Sequence, residues 1–287
     1  MSSCGSIPFM QRRYLELDVF TTTSLSGNPL AVVLDGTGLS TDDMQRFANW
    51  TNFSETTFLL PAEHPDADYR VRIFTPGTEL PFAGHPTLGS CHAWRSMGTA
   101  SKQPGVVMQE CGVGLVPIAV DAVGRIAFAA PALLRGGPVD AADLAAVVAT
   151  LGIEPSLVVD AQWIDNGPGW LGVLLPSAAD VLALQPEPRC EFAIGVFGAY
   201  GPEHHAAYEV RAFFPERGVM MEDPVTGSLN ASGAQWLVAT GRFTPPYVAS
   251  QGLAMGRAGT VTVTADDDGA IWIGGDVTTV VAGTVDL

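Results

Sequence analysis

A chain of 287 residues holds one large domain or two ordinary ones, and 47 % hydrophobic against 15 % charged residues excludes a disordered polyampholyte and a coiled coil. Fourteen basic against thirty acidic residues leave a formal charge of −16. Such a surface repels phosphate backbones and anionic lipid, so neither nucleic acid nor a membrane surface is an expected partner. Lysine occurs once, as Lys102 in a polar stretch that reads as a solvated loop, which leaves Schiff-base and pyridoxal-phosphate chemistry without a suitable residue. Met1 to Tyr14 lacks the apolar core of a signal peptide, and no run approaches the roughly 20 apolar residues of a membrane span, so a cytoplasmic protein is expected. Cys4, Cys91, Cys111 and Cys190 lie far apart without a C-x-x-C, the pattern of reduced, buried thiols rather than of a zinc ribbon or disulfide scaffold.

In chain order, Tyr14–Phe20 alternates apolar and polar residues as a strand with one buried face. Ser40-Thr-Asp-Asp43 then caps a helix whose apolar face holds Met44, Phe47 and Ala48. Asn52–Pro61 and Tyr69–Phe74 read as the next strands, and a second helix is expected from Pro86 to Met97, stopped by Gly98. Past Ala122-Val-Gly124 the pattern begins again. Asp140 caps a helix carrying Leu144, Val147, Val148 and Leu151, Tyr208–Pro215 is a strand, and a small, apolar helix runs from Thr226 to Thr240 with Gly241 as its stop. Thr260–Thr264, Ile271–Ile273 and Thr278–Val281 are three more strands.

The second half resembles the first. Tyr69–Pro76 matches Tyr208–Pro215 at an offset of 139, and the same offset lays Gly84–Gly89 on Asp223–Ser228. A weaker match sets Asn52–Pro61 on Gly167–Pro176, with Glu55 over Trp170. The expectation is an α+β protein of two pseudo-symmetric halves, each a β-sheet or barrel wrapped on a central helix. Residues 1–124, completed by a C-terminal strand at about 276–287, form one half and residues 125–275 the other, with a cleft between them.

In such a cleft the two helix starts, Gly84-His-Pro-Thr87 and Thr226-Gly-Ser228, present unpaired N–H groups suited to a carboxylate or an enolate-like anion. Glu55, entering an apolar strand, should lose hydration and gain a raised pKa, as a general acid/base requires. His85 and Asp223 sit on the facing loops. Each has a plainer reading: Glu55 as a loop acid or cap for Thr57, His85 as a turn histidine, Asp223 as the cap of its own helix. With Trp170 opposite Glu55 and Gly84 opposite Asp223, the two halves supply different groups and the cleft is chemically one-sided. No G-x-S-x-G elbow or G-x-G-x-x-G turn is present. His204-His205 reads as a solvated loop rather than a metal pair, Met220-Met221 as packing under the second loop, and Arg72 and Arg211 as structural partners of acids.

Asn28-Pro-Leu-Ala-Val-Val33, Asn52-Phe-Ser-Glu-Thr-Thr57, Glu79-Leu-Pro-Phe-Ala-Gly-His-Pro-Thr87, Glu222-Asp-Pro-Val-Thr-Gly-Ser228 and Gln251-Gly with Met255-Gly-Arg257 resemble the PhzF family of phenazine biosynthesis, from about Tyr14 to the C-terminus. The resemblance implies the diaminopimelate epimerase-like fold, a homodimer, and an isomerase of trans-2,3-dihydro-3-hydroxyanthranilate that uses neither metal nor cofactor. It implies Glu55 as the acid/base, His85 and Asp223 as catalytic residues beside it, and Ser54, Gly84, Gly227 and Ser228 as contacts of a small carboxylate substrate. Racemases of this fold carry a cysteine on each facing loop; Pro81–Pro86 and Glu222–Gly227 contain none, and Cys91 falls inside the helix as a core residue. One-sided proton transfer is left. The alternatives are a non-catalytic binder of small acids and an epimerase or racemase with non-cysteine bases.

Overall fold

A computed structural model describes residues 10–189, 191–216 and 218–287. In chain order it runs β1 (Gln11–Val19), β2 (Asn28–Val33), α1 (Thr41–Thr51), β3 (Glu55–Leu60), β4 (Tyr69–Phe74), β5 (Glu79–Leu80), α2 (Gly84–Arg95), β6 (Val106–Cys111), β7 (Gly114–Val120) and β8 (Ile126–Ala129). The chain continues through β9 (Arg135–Pro138), α3 (Ala141–Leu151), β10 (Asp160–Asp165), β11 (Trp170–Leu175), α4 (Ala178–Leu182), β12 (Ala193–Ala199) and β13 (Tyr208–Glu216). It ends with β14 (Val219–Asp223), α5 (Gly227–Ala239), β15 (Tyr247–Gln251), β16 (Gly259–Ala265), β17 (Ile271–Gly275) and β18 (Val277–Asp286). Among the described residues no helix is long and apolar enough to cross a membrane.

The pairing repeats. β2 lies parallel to β3, β3 antiparallel to β4, and β4 parallel to β6. In the second half β11 lies parallel to β12, β12 antiparallel to β13, and β13 parallel to β15. β8 pairs with both β7 and β17, which joins the halves, and β18 returns to pair with β1 from Gln11 to Val19. Each half wraps one buried helix. α2 packs against β1, β2, β3 and β8, and α5 against β10 and β17. Leu88, Cys91 and Trp94 of α2 and Leu229, Ala234 and Leu237 of α5 belong to one continuous apolar core. Burying each of the larger side chains contributes roughly 1.5–3 kcal/mol, so these helices are axes and not surface decoration.

Local sequence explains the helix ends. Ser40 accepts from the Asp43 N–H and Asp43 reaches back to the Ser40 N–H, a complete capping box for α1. Asp140 accepts from the N–H groups of Ala142 and Asp143 to start α3. α2 and α5 begin instead at Gly84 and Gly227 with no side-chain cap, and they stop where Gly98 and Gly241 take left-handed backbone angles.

The structure corrects the alignment of the halves. Sheet register keeps the offset of 139 through Arg72 and Arg211 but then pairs Phe74 with Glu79 and Phe213 with Glu222. Beyond these equivalent pairs the β13–β14 hairpin is four residues longer than the β4–β5 hairpin, so Leu80 is the counterpart of Asp223 and Gly84 that of Gly227. Trp170 pairs with Ala193 as Leu30 pairs with Glu55, so the counterpart of Glu55 is Ala193, not Trp170. The helix between the parallel strands, α1 in the first half, corresponds to short α4 and not to α3. Constant-offset comparison slips here because an exposed hairpin can lengthen without disturbing the core.

The same register sets Arg72 on Glu79 (2.6 Å) and Arg211 on Glu222 (2.8 Å), a duplicated pair with structural roles. The two differ in burial. The Arg211 side chain is 7 % exposed and also donates to the carbonyls of Val181 and Leu184, whereas the Arg72 side chain is 23 % exposed. Removing one partner of a buried pair costs about 3–5 kcal/mol, while exposed pairs are worth about 0–1. Arg211→Ala should therefore lower the melting temperature by roughly 6–12 °C and Arg72→Ala by less than about 3 °C in a thermal scan; equal shifts would mean that burial is not what separates the two pairs.

Candidate active site

The first residues of β2 and β3, Asn28 and Glu55, lie at the same end of two parallel neighbours, and the start of α2 comes up beside them. Glu55 Oε2 stands 3.4 Å from His85 Nε2, with the side chains 16 % and 5 % exposed. Neither of these two buried atoms has a hydrogen-bond partner. From the second half, Asp223 meets the same cluster through Asn28. The Asn28 Nδ2 donates to Asp223 Oδ1 (3.0 Å) and to the Val225 carbonyl (2.8 Å), and lies 3.4 Å from His85 Nδ1. Both of its acceptors are oxygens that can only accept, which fixes the orientation of the amide.

Burial sets the ionisation. Loss of hydration, with the nearby negative charges of Asp223 and Glu216, pushes the Glu55 carboxyl up to about 8. Burial raises Asp223 to about 6, and the bonds from Thr226 and Asn28 hold it below Glu55. Burial lowers His85 to about 3, against the opposing effect of the Pro29 carbonyl, so its ring is neutral in ordinary buffers. Between about pH 6 and 8 the cluster thus holds a protonated Glu55, an ionised Asp223 and an uncharged imidazole. Two carboxyls pushed apart in this way are a usual arrangement for acid/base chemistry.

Gly84 and Gly227 abut. A Cβ added to Gly84 would stand 3.0 Å from the Gly227 Cα, and one added to Gly227 would stand 2.9 Å from the Gly84 Cα. Two uncapped helix starts therefore face each other with no side chain between, each bringing first-turn N–H groups and the positive end of its dipole. His85 and Ser228, second residues of the two helices, are counterparts across the pseudo-twofold. Ser228 Oγ accepts from Trp170 Nε1 at 3.0 Å, and its carbonyl accepts from Asn166 Nδ2 at 2.9 Å.

The structure thus brings Glu55, His85 and Asp223 together and sets Gly84, Gly227 and Ser228 at the helix junction. Ser54 precedes Glu55 on an exposed turn. Asp223 does not cap α5: Thr226 is the N-cap residue and donates its hydroxyl to Asp223 Oδ2 at 2.6 Å. Of the residues expected elsewhere, Cys91 is buried in α2 with its thiol pushed up to about 12, far from a thiolate. Cys111 is half-buried rather than buried, and Cys4 and Cys190 lie outside the described residues. His204 stacks on Tyr200 at 3.7 Å, and among the described residues no group of three metal-ligating side chains occurs. Met220 packs against a separate buried cluster that includes Leu171, Val196 and Phe213, but Met221 is exposed, because β14 turns alternate residues to opposite faces.

Two positions were given no role by sequence reasoning. Asn28, buried and bridging the halves, lies 195 residues from the Asp223 that it holds. Gln251, also fully buried, accepts from the Thr226 N–H and from Asn230 Nδ2, and donates to the Asp223 carbonyl and Thr226 Oγ1, which uses every hydrogen-bonding position of its amide. It supplies the cap that α5 lacks. Both residues stand in the quoted motifs, which is the signal that pointed to them.

Comparison with known proteins agrees with this architecture. The model of the family described as "Phenazine biosynthesis-like protein" matches residues 17–283. A Schizosaccharomyces pombe protein named antisense-enhancing sequence 1 is 35 % identical over 95 % of this chain and 98 % of its own length. The trans-2,3-dihydro-3-hydroxyanthranilate isomerase of Pseudomonas aeruginosa is 36 % identical over 75 % of this chain and 76 % of its own. The crystal structure of the Bacillus anthracis phenazine biosynthesis protein of the PhzF family superposes with a TM-score of 0.81 at 24 % identity, covering 96 % of this chain and 99 % of that one. The chain belongs to the phenazine biosynthesis-like, or PhzF, family.

Proposed function

We propose that this PhzF-family isomerase moves a proton between carbons of a small cyclic carboxylic acid of the trans-2,3-dihydro-3-hydroxyanthranilate type, without metal or organic cofactor. The observation that carries the reading is the pair of unpartnered, buried atoms, Glu55 Oε2 and His85 Nε2, 3.4 Å apart beside two opposed helix starts. The substrate carboxylate lies at the N–H groups of the junction at Gly84, Gly227 and Ser228, where partial positive charge is concentrated. Affinity is local, since a chain of net charge −16 does not attract an anion from a distance.

Glu55 takes a proton from one carbon as carboxylate and returns it to another as acid. A pKa raised to about 8 strengthens the carboxylate as a base and keeps both forms accessible near neutral pH. His85 stays neutral and sets Nε2 beside Glu55 as a hydrogen-bonding partner for the carboxyl or the substrate, and the charge of Asp223 helps to keep the Glu55 pKa high. With Ala193 at the counterpart of Glu55, no second base arises by symmetry, and removal and return occur on one face of the substrate. In D₂O, turnover of trans-2,3-dihydro-3-hydroxyanthranilate should give product with carbon-bound deuterium, suprafacial with respect to the proton lost, read by NMR. Binding without any turnover or exchange would support the alternative of a non-catalytic small-acid binder.

A further inference from the structure

Indole N–H groups donate and cannot accept. At 3.0 Å, Trp170 Nε1 therefore commits the Ser228 oxygen as acceptor, and the Ser228 hydroxyl proton must go elsewhere. The turn that leads from β10 into Trp170 holds the Ser228 backbone as well: Asn166 donates to its carbonyl, and Asp165 Oδ1 pins the turn by accepting from the N–H groups of Gly167 and Gly169 at 2.7 Å each. Trp170 is 3 % exposed, with little freedom to swing away.

We propose that Trp170 is a positioning residue that fixes the Ser228 hydroxyl as a hydrogen-bond donor aimed at the carboxylate held between the helix starts. This rests on the reading of that junction as the carboxylate site. Without the indole N–H the hydroxyl rotates freely and in part of the population turns its lone pairs toward the anion, so selection for a carboxylate over a neutral group weakens. The tryptophan acts on substrate binding through Ser228 and has no part in the proton transfer itself.

The test compares anthranilate with 2-aminobenzamide, its neutral amide, by calorimetric titration of the wild type, Trp170→Phe, Ser228→Ala and the double variant. Phenylalanine keeps the buried aromatic volume and loses the N–H. The wild type should prefer anthranilate, Ser228→Ala should weaken it about tenfold, the value of one hydrogen bond to a charged group, and Trp170→Phe should weaken it several-fold with the amide unaffected. In the Ser228→Ala background Trp170→Phe should change nothing further, a non-additivity that mere loss of packing would not produce. Where the substrate is turned over, Trp170→Phe should raise KM more than it lowers kcat. Wild-type preference for anthranilate retained in full by Trp170→Phe, or additive losses in the double variant, would overturn the assignment. If the wild type shows no preference for anthranilate over its amide, the carboxylate site itself is misplaced and the role of Trp170 falls with it.

Discussion

Replacing Glu55 with glutamine should reduce turnover by about 10²–10⁴-fold, the usual contribution of a positioned acid/base, and should abolish deuterium incorporation from D₂O. Binding of a carboxylate ligand should be kept, since the helix junction is untouched. Glutamine is nearly isosteric but cannot take up or release a proton in this range. Exchange by Glu55→Gln at the wild-type rate would end the assignment.

The same substitution makes a prediction about stability with a definite sign. Glu55 is raised from 4.5 to about 8 in the folded chain, so its stabilising contribution is complete below about pH 4.5 and is lost as pH rises through about 8. His85 is lowered from 6.5 to about 3, so its contribution is present above pH 6.5 and is lost as pH falls toward 3. Removing the titrating carboxyl should flatten the alkaline side only. Chemical denaturation between pH 5 and 9 should show Glu55→Gln gaining on the wild type as pH rises, by at most a few kcal/mol at about one per pH unit. Below pH 5 the two curves should run parallel, both falling with the protonation of His85. A constant difference across the whole range would mean that Glu55 is solvated and ionised in the folded chain.

Much of this site was readable from residues alone, for reasons that differ by element. The starts of α2 and α5 follow from glycines that no capping side chain precedes, and Gly98 and Gly241 mark their ends because left-handed backbone suits glycine. Glu55 was legible as a carboxyl at the head of an apolar strand, where burial must raise its pKa. The role of Asn28 was not legible, since a contact across 195 residues leaves no local period, and neither was the Gln251 cap, which reaches α5 from a neighbouring strand. Trp170 was expected opposite Glu55; its indole N–H to Ser228 depends on a register that a four-residue hairpin insertion had hidden. One-sidedness survived the correction, because Ala193 is as inert as Trp170 at the mirrored position.

Substituting Gly227 with alanine should cost both stability and turnover. The new Cβ would stand 2.9 Å from the Gly84 Cα and 3.1 Å from the His85 nitrogen, both backbone atoms of a helix locked in the core. No rotamer change relieves such a contact, so α5 must retreat from α2. Overpacking of this kind costs roughly 1–3 kcal/mol, which for a chain of this size lowers the melting temperature by roughly 2–10 °C. The catalytic loss should be larger than the loss of stability suggests. On the proposed reading, shifting one set of N–H donors by about 1 Å would misplace a bound carboxylate against Glu55, and displacement on that scale costs about 10²-fold in rate. Gly201 provides the control: an added Cβ there meets nothing within 4 Å, and alanine should leave melting and turnover alone. Should Gly227→Ala match Gly201→Ala in both, the helices can part freely, and their close approach is not what holds the anion in reach of the carboxyl.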